Sequence, residues 1–335
     1  MEVCLLLEGN KGFVAICILS CVILGFSSFA DAAQFTLKLG HGAAPDNPRH
    51  LVALDFAKDV EQKTGGAVTI KVFPSESLGS DRQMLESVVM GGLDMSVNSQ
   101  GPVAGYNQKL NVVGLPFLFS NPDQVYRVLD GEIGEEISEE LESKGFKVLA
   151  YWENGFRHIT NNVQPITVPE DLKGLKIRTP EDNMTLAIFK ALGANPAPFA
   201  FGELYMALKQ GQFDGQENPI TNIYYSKIYE VQKYLSLSNH KYETCPLVIS
   251  MVTWNRLPKE FKEIIKSSAM EFAQKHRKLN TQTNSELLAE LEKNGVIVNS
   301  VNVETMRKAT QSVYTDFEPV FGNDLIQKVL SMVEK

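Results

Sequence analysis

The chain has 335 residues, 44% apolar and 21% charged, with a formal net charge of -8. That length suits two domains of ordinary size. The acidic balance argues against a general nucleic-acid binder and against a protein held on an anionic membrane surface, yet it leaves room for a locally basic pocket.

Residues 12–29 are nearly uncharged and rich in Ile, Leu, Val and Phe, and Ala30-Asp31-Ala32 follows as a small-x-small cleavage pattern. Residues 1–32 are therefore expected to be a secretory signal peptide cut near Ala32. Lys11 is the only basic residue before the apolar run, against Glu2 and Glu8, which is a weak charge pattern for such a signal. A membrane anchor and a lipidated Cys21 stand as alternatives. Cys4, Cys17 and Cys21 lie in this leader and only Cys245 follows it, so no intramolecular disulfide is expected in the exported chain.

Alternating apolar residues predict a strand over 35–42, and an amphipathic helix follows over 48–64 with Asn47 as its cap. Gly65-Gly66 stops that helix. A strand at 67–73, a helix at 81–90 and a short strand at 93–98 complete a rhythm that implies a parallel α/β sheet. Residues 112–119 form an apolar, proline-broken run. Helices are expected at 121–129 and 134–144, then a buried strand at 147–152. A second rhythm begins at 157–160. It continues through a strand over 175–179, a helix at 182–192, a strand near 197–201 and a helix at 202–210. Residues 219–234 read as largely helical, 247–254 as a strand, and 259–293 as one long helix free of Gly and Pro. A strand at 296–298 and helices from 304 to the end follow. The strand at 247–254 returning to the first half, with the long helix spanning both, makes the two halves interleave.

The usual catalytic signatures are absent from the sequence. There is no GxSxG, P-loop or GxGxxG, and the five histidines show neither HxxxH nor HExxH spacing. The Glu135-Glu136 and Glu139-Glu140 pairs read as a solvated helix face. No nucleophile is assembled with a base, so no enzyme activity, cofactor or metal is expected.

Polar residues do gather where strands should end. Arg157 follows the buried strand in YWENGFR (151–157). Asn98 and Ser99 end the third strand, and DGQENP (214–219) follows a helix. Arg178 ends the strand in DLKGLKIRTP (171–180), where Pro180 stops the ladder. In open parallel sheets, ligands bind beyond the carboxyl ends of strands. Together these residues describe a polar cavity with two arginines, and a guanidinium holds a carboxylate by two parallel hydrogen bonds.

The motifs LGHGAAPDNPRH (39–50), FPSESLGSDRQMLE (73–86), NGFRHITN (154–161), DLKGLKIRTP and DGQENP run in one order across nearly the whole mature chain. In this the sequence resembles the DctP-like solute-binding proteins of tripartite ATP-independent periplasmic (TRAP) transporters. The resemblance implies a two-domain α/β periplasmic binding-protein fold, type II-like, with a cleft between lobes and a long helix spanning both. Lobe I would be 33–154 plus 244–283, lobe II 155–243 plus 284–335. It also implies a periplasmic monomer without catalysis that captures a small organic acid. That acid would be a uronate- or aldonate-type sugar acid or a C4-dicarboxylate, delivered to a permease of small and large membrane subunits. An alternative is a ligand-binding partner of a signalling receptor, and a lyase acting on such acids is a further one.

By the same resemblance, Arg178 forms the two-pronged salt bridge to the ligand carboxylate and Arg157 supports it. Asn218 fixes the carboxylate or orients Arg178, Phe201 lines the pocket beside it, and His240 lies in the polar network behind. His50, Glu76, Asp81, Asn98 and Ser99 read the rest of the ligand. Ser99 and Gly42 stand where the sialic-acid branch has glutamate and asparagine, which puts sialic acid in doubt as the ligand.

Overall fold

A computed structural model describes residues 33–333. The expected signal peptide and its three cysteines lie outside the described residues. The fold holds eleven described strands: β1 (Phe35–His41), β2 (Val68–Phe73), β3 (Met95–Val97), β4 (Phe146–Phe156), β5 (His158–Asn161), β6 (Lys176–Thr179), β7 (Asn195–Pro198), β8 (Gly215–Asn218), β9 (Tyr234–Leu237), β10 (Tyr242–Ser250) and β11 (Ile297–Ser300). They form two sheets, one in the order β2-β1-β3-β10-β4 and one in the order β11-β9-β5-β8-β6-β7. Each sheet is the centre of one lobe.

Both sheets are mixed, where the sequence rhythm implied parallel ones. β1 runs parallel to β2 and β3, but β10 is antiparallel to β3 and β4, and β5 is antiparallel to β8 and β9. The antiparallel strands are those next to the points where the chain changes lobe, so they enter from the opposite end. β7 carries Pro196 and Pro198, which cannot donate to a ladder, and it sits at a sheet edge.

The chain passes between sheets three times. Residue 157 links β4 to β5, residues 238–241 link β9 to β10, and the helix Lys259–Lys293 makes the third passage. The first two crossings are bonded to each other, since Arg157 N donates to Lys241 O at 2.9 Å. The helix buries Ile265, Ala269, Phe272 and Ala273 in the core under the first sheet, then Leu287 and Leu291 in a second core. These positions recur at three- and four-residue spacing, so one stripe serves both lobes. Full burial of a leucine contributes about 2 kcal/mol. Among the described residues no helix is long and apolar enough to cross a membrane.

Several predicted elements shift. Residues 215–218, given no element from the sequence, are the buried strand β8; Gln216, Glu217 and Asn218 show no apolar alternation because their partners are polar. The strand expected over 247–254 starts at Tyr242 and ends at Ser250, whose hydroxyl caps the helix Met251–Arg256. Within 219–234 the α-helix is confined to Ile220–Tyr225, and β9 begins at Tyr234. The C-terminal helices reach back to the first half: Tyr314 Oη donates to Pro116 O at 2.9 Å and Gln124 Nε2 to Val333 O at 2.8 Å.

Candidate ligand site

Arg178 sits near the C-terminal end of β6, paired with Ala197 on β7 and Gln216 on β8. Lys176, two residues earlier on the same face, is exposed, whereas Arg178 is only 2% exposed because the cleft covers the strand's end. Its Nε and Nη2 both donate to Phe199 O, at 2.9 and 2.6 Å. Its Cζ lies 5.9 Å from the centre of the Phe201 ring. Among the described residues it makes no salt bridge. Burial pulls its pKa down to about 10; the Glu217 charge works against this, the Arg157 charge adds to it, and Glu76 opposes it more weakly. A desolvated cation held by one neutral carbonyl is short of negative charge.

Arg157 is in the opposite condition. Its guanidinium pairs with Glu217 and Glu243, and Nη2 also donates to Glu217 O at 2.7 Å and Asn218 Oδ1 at 3.3 Å. Burial works against its charge, but the two glutamates outweigh it and raise its pKa; Glu217 is held down at about 2, where Arg157 overcomes the cost of burial. All three guanidinium nitrogens are thus engaged within the protein. Asn218 Oδ1 also accepts from Asn222 Nδ2 at 3.2 Å, so this asparagine is tied to Arg157 rather than to Arg178. His240 lies behind, its ring bridging Ser238 Oγ at 2.7 Å and Glu217 at 3.2 Å, with its pKa lowered by burial.

The facing wall comes from the first lobe. The Ser80 capping box starts the helix Asp81–Met90 and sets Asp81 at its first turn. Asp81 Oδ2 accepts from the main chain of Ser99 at 2.9 Å and from its hydroxyl, while Oδ1 is buried without a partner. Glu76, at φ 55°, reaches across to accept from Gly202 N at 2.8 Å. Burial and the neighbouring Asp81 carboxylate push its pKa up to about 7, against the pull of the Gly202 N–H, Arg178 and the Asp81 main-chain N–H.

Arg178, Arg157, Asn218, Phe201, Asp81 and Ser99 line one cavity of about 30 Å³, and Glu76 joins Arg178 around an adjoining one of similar size. Three predicted residues are not on these walls. His50 packs on His41, with ring nitrogens 3.1 Å apart; Asn98 is fully buried with both amide atoms unpartnered; His240 backs Glu217. A larger hollow of about 410 Å³, between the helix Glu132–Glu142 and the long helix, carries no arginine and several glutamates.

Sequence reasoning missed Arg49, Asn154, Asn222 and Glu243, all on the same cavity. Asn47 caps the helix Pro48–Lys63, its side chain accepting from Arg49 N at 2.9 Å, and so aims the first turn at the cleft. Arg49 is 6% exposed, donates to Asn154 Oδ1 at 2.6 Å, and leaves Nε unpartnered. A cation at the positive end of a helix runs against the helix dipole, and that was the available signal.

Residues 39–319 match the bacterial extracellular solute-binding protein family 7, DctP. The chain belongs to that family. The protein y4mM of Sinorhizobium fredii is 47% identical over 84% of this chain, which spans about half (52%) of that relative's length. The 2,3-diketo-L-gulonate-binding periplasmic protein YiaO of Escherichia coli is 37% identical over 82% of this chain and 84% of its own. Among solved structures, a TRAP periplasmic solute-binding protein from a Polaromonas species, bound to D-erythronate, superposes with a TM-score of 0.87 at 36% identity, covering 89% of this chain and 98% of that one. The two-lobed DctP fold and its TRAP relatives are thus those the sequence motifs suggested.

Proposed function

We propose that this DctP-family protein captures a hydroxylated monocarboxylate of about the size of a four- to six-carbon sugar acid and that Arg178 holds its carboxylate. The observation that carries this reading is the Arg178 guanidinium, buried at the cleft with the Phe199 carbonyl as its only hydrogen-bond acceptor among the described residues. A carboxylate there gains two charge-assisted bonds and supplies the missing charge. Arg157, Glu217, Asn218 and His240 form the rigid support behind it. The facing wall leaves a donor, Arg49 Nε, and an acceptor, Asp81 Oδ1, without partners. A hydroxyl can answer both, since it donates and accepts. The relatives that bind 2,3-diketo-L-gulonate and D-erythronate support the same class.

A C4-dicarboxylate is the second reading. Arg49 favours it, as a further guanidinium without a salt bridge among the described residues; Asp81 on the same wall disfavours it by repulsion. A cavity of about 30 Å³ has room for one water, so either acid requires the lobes to part and close. Residues 33–154 plus 244–283 and 155–243 plus 284–335 are the proposed moving bodies. Delivery is to TRAP membrane permease subunits, small and large, in the periplasm after removal of residues 1–32, with the protein acting as a monomer and without turnover. A thermal-shift panel of aldonates, uronates and C4-dicarboxylates tests this reading. An aldonate or uronate raising the melting temperature supports it; a response to succinate alone turns it to the second reading, and no response to any acid overturns it.

A further inference from the structure

The carboxylate wall facing Arg178 has a feature that the capture of an acid does not by itself require. Glu76 belongs to the first lobe, yet its Oε2 accepts the main-chain N–H of Gly202, in the second, at 2.8 Å. The fit is close: a Cβ on Gly202 would stand 2.5 Å from that oxygen. The other oxygen, Oε1, faces the place where Gly42 lacks a side chain. A Cβ built there would lie 3.5 Å from Glu76 Oε1 and 3.6 Å from Asp81 Oδ1. The two carboxyl oxygens thus flank one point, and Asp81 Oδ1 is buried without a hydrogen-bond partner. Burial first, and the Asp81 charge after it, disfavour an ionised Glu76 here.

We propose that closure of the lobes takes up one proton, held on Glu76 Oε1 and donated to Asp81 Oδ1, so that acid capture at this site is linked to pH. The inference rests on the cleft being the acid site. The groups facing Glu76 are Asp81 from the helix Asp81–Met90, Arg178 from β6, and Glu181, which shares the adjoining void. Arg178 is the one cation among them, and a bound acid neutralises it. Capture therefore removes the charge that favours ionised Glu76. The proton comes from solvent, and Glu76 stays bonded to Gly202 N through its unprotonated oxygen.

The linkage has a definite sign. In the closed cleft burial, and after it Asp81, push Glu76 up from its ordinary 4.5 to about 7; opening relieves the burial and lowers the value again, while Asp81, on the same lobe, stays beside it. Between those values the closed state binds more protons than the open state, so capture tightens as pH falls from 7 towards 4.5. The limit is about tenfold per pH unit for one proton. A monocarboxylic sugar acid stays ionised through this window, because its own carboxyl titrates lower.

Calorimetry at pH 6 in two buffers of different ionisation enthalpy counts the protons directly, with the monocarboxylates D-erythronate, L-gulonate and galactonate as probes. We expect between half and one proton taken up per acid bound by the wild type. Glu76→Gln, which mimics the protonated side chain, should lose the uptake whatever its affinity. Binding without uptake, or uptake that persists in Glu76→Gln, overturns the proposal while leaving the acid-binding reading intact. If none of the probes binds, that reading fails instead. Carbon-13 NMR of glutamate-labelled protein then decides the proton: a carboxyl titrating near pH 7 and missing from Glu76→Gln supports it, and the lack of such a signal overturns it.

Discussion

Arg157 and Glu217 are joined twice over, by a carboxylate pair and by a bond from Nη2 to the Glu217 main-chain carbonyl at 2.7 Å. The arginine stands on the crossing between β4 and β5, and the glutamate at the middle of β8. This pair, with Glu243, makes the arginine nearest the hinge a structural cation. Arg178 has no such partner. The two arginines that look alike in the sequence therefore do different work, and the difference sets what substitution does to each.

Arg157→Gln should unfold more readily without being primarily a binding variant. It leaves Glu217 buried without its guanidinium and Glu243 with only Lys241 Nζ, 3.8 Å away, at a cost of about 3–5 kcal/mol. The expected fall in melting temperature is on the order of 10 °C. Arg178→Ala removes a desolvated charge that has only a carbonyl partner, so its melting temperature without ligand should stay within a few degrees of wild type. Scanning calorimetry of both variants checks the contrast.

Arg49→Gln should weaken acid binding by about tenfold to a hundredfold, the range for losing one hydrogen bond from a charged donor. The fold should survive, since Arg49 makes no salt bridge among the described residues and Asn154 keeps Glu243 as a partner. Titration calorimetry with an aldonate gives the affinity, and an unchanged value would place the ligand elsewhere in the cleft.

Stability should fall with acidification in two stages. Burial holds His41 and His158 at about 3 in the folded chain, against 6.5 ordinarily. The unfolded chain takes up those protons first, so their contribution is lost as pH falls from 6.5 to 3. Glu217, held at about 2 by Arg157 against its ordinary 4.5, adds a loss between 4.5 and 2. Glu153 and Glu76, both raised chiefly by burial to about 7, act in the opposite sense and lose their contribution as pH rises from 4.5 through 7. Urea midpoints across pH 3 to 7 report the sum. Glu217→Gln should be less stable throughout but flatter below pH 4.5.

Gly202→Ala should impair closure. The new methyl meets Glu76 Oε2, which must swing away and surrender its bond across the cleft. A severalfold loss of affinity is expected for one such bond, with a larger radius of gyration by small-angle scattering in the presence of acid.

Much of this was legible from residue patterns. The helix Lys259–Lys293 was read to the residue, because no Gly or Pro interrupts it and its apolar stripe is regular. The place of Arg178 near a strand's end was read from the Pro180 that stops the ladder. β8 was not read as a strand, because Gln216-Glu217-Asn218 is buried by polar partners contributed from β5 and the crossing segments, and no local pattern announces those. The same remoteness hid the use made of Arg157: Glu243 is 86 residues away. Arg49 was passed over because it falls in the first turn of a helix that was read from its Asn47 cap and its apolar positions.

The central claim is that Arg178 grips the ligand's carboxylate, and titration of an aldonate into wild type, Arg178→Lys and Arg178→Ala measures it most directly. The account predicts that both variants remain folded and lose about 2–5 kcal/mol of binding, with lysine failing because it cannot present two parallel N–H groups. Near-normal affinity in Arg178→Ala would contradict it.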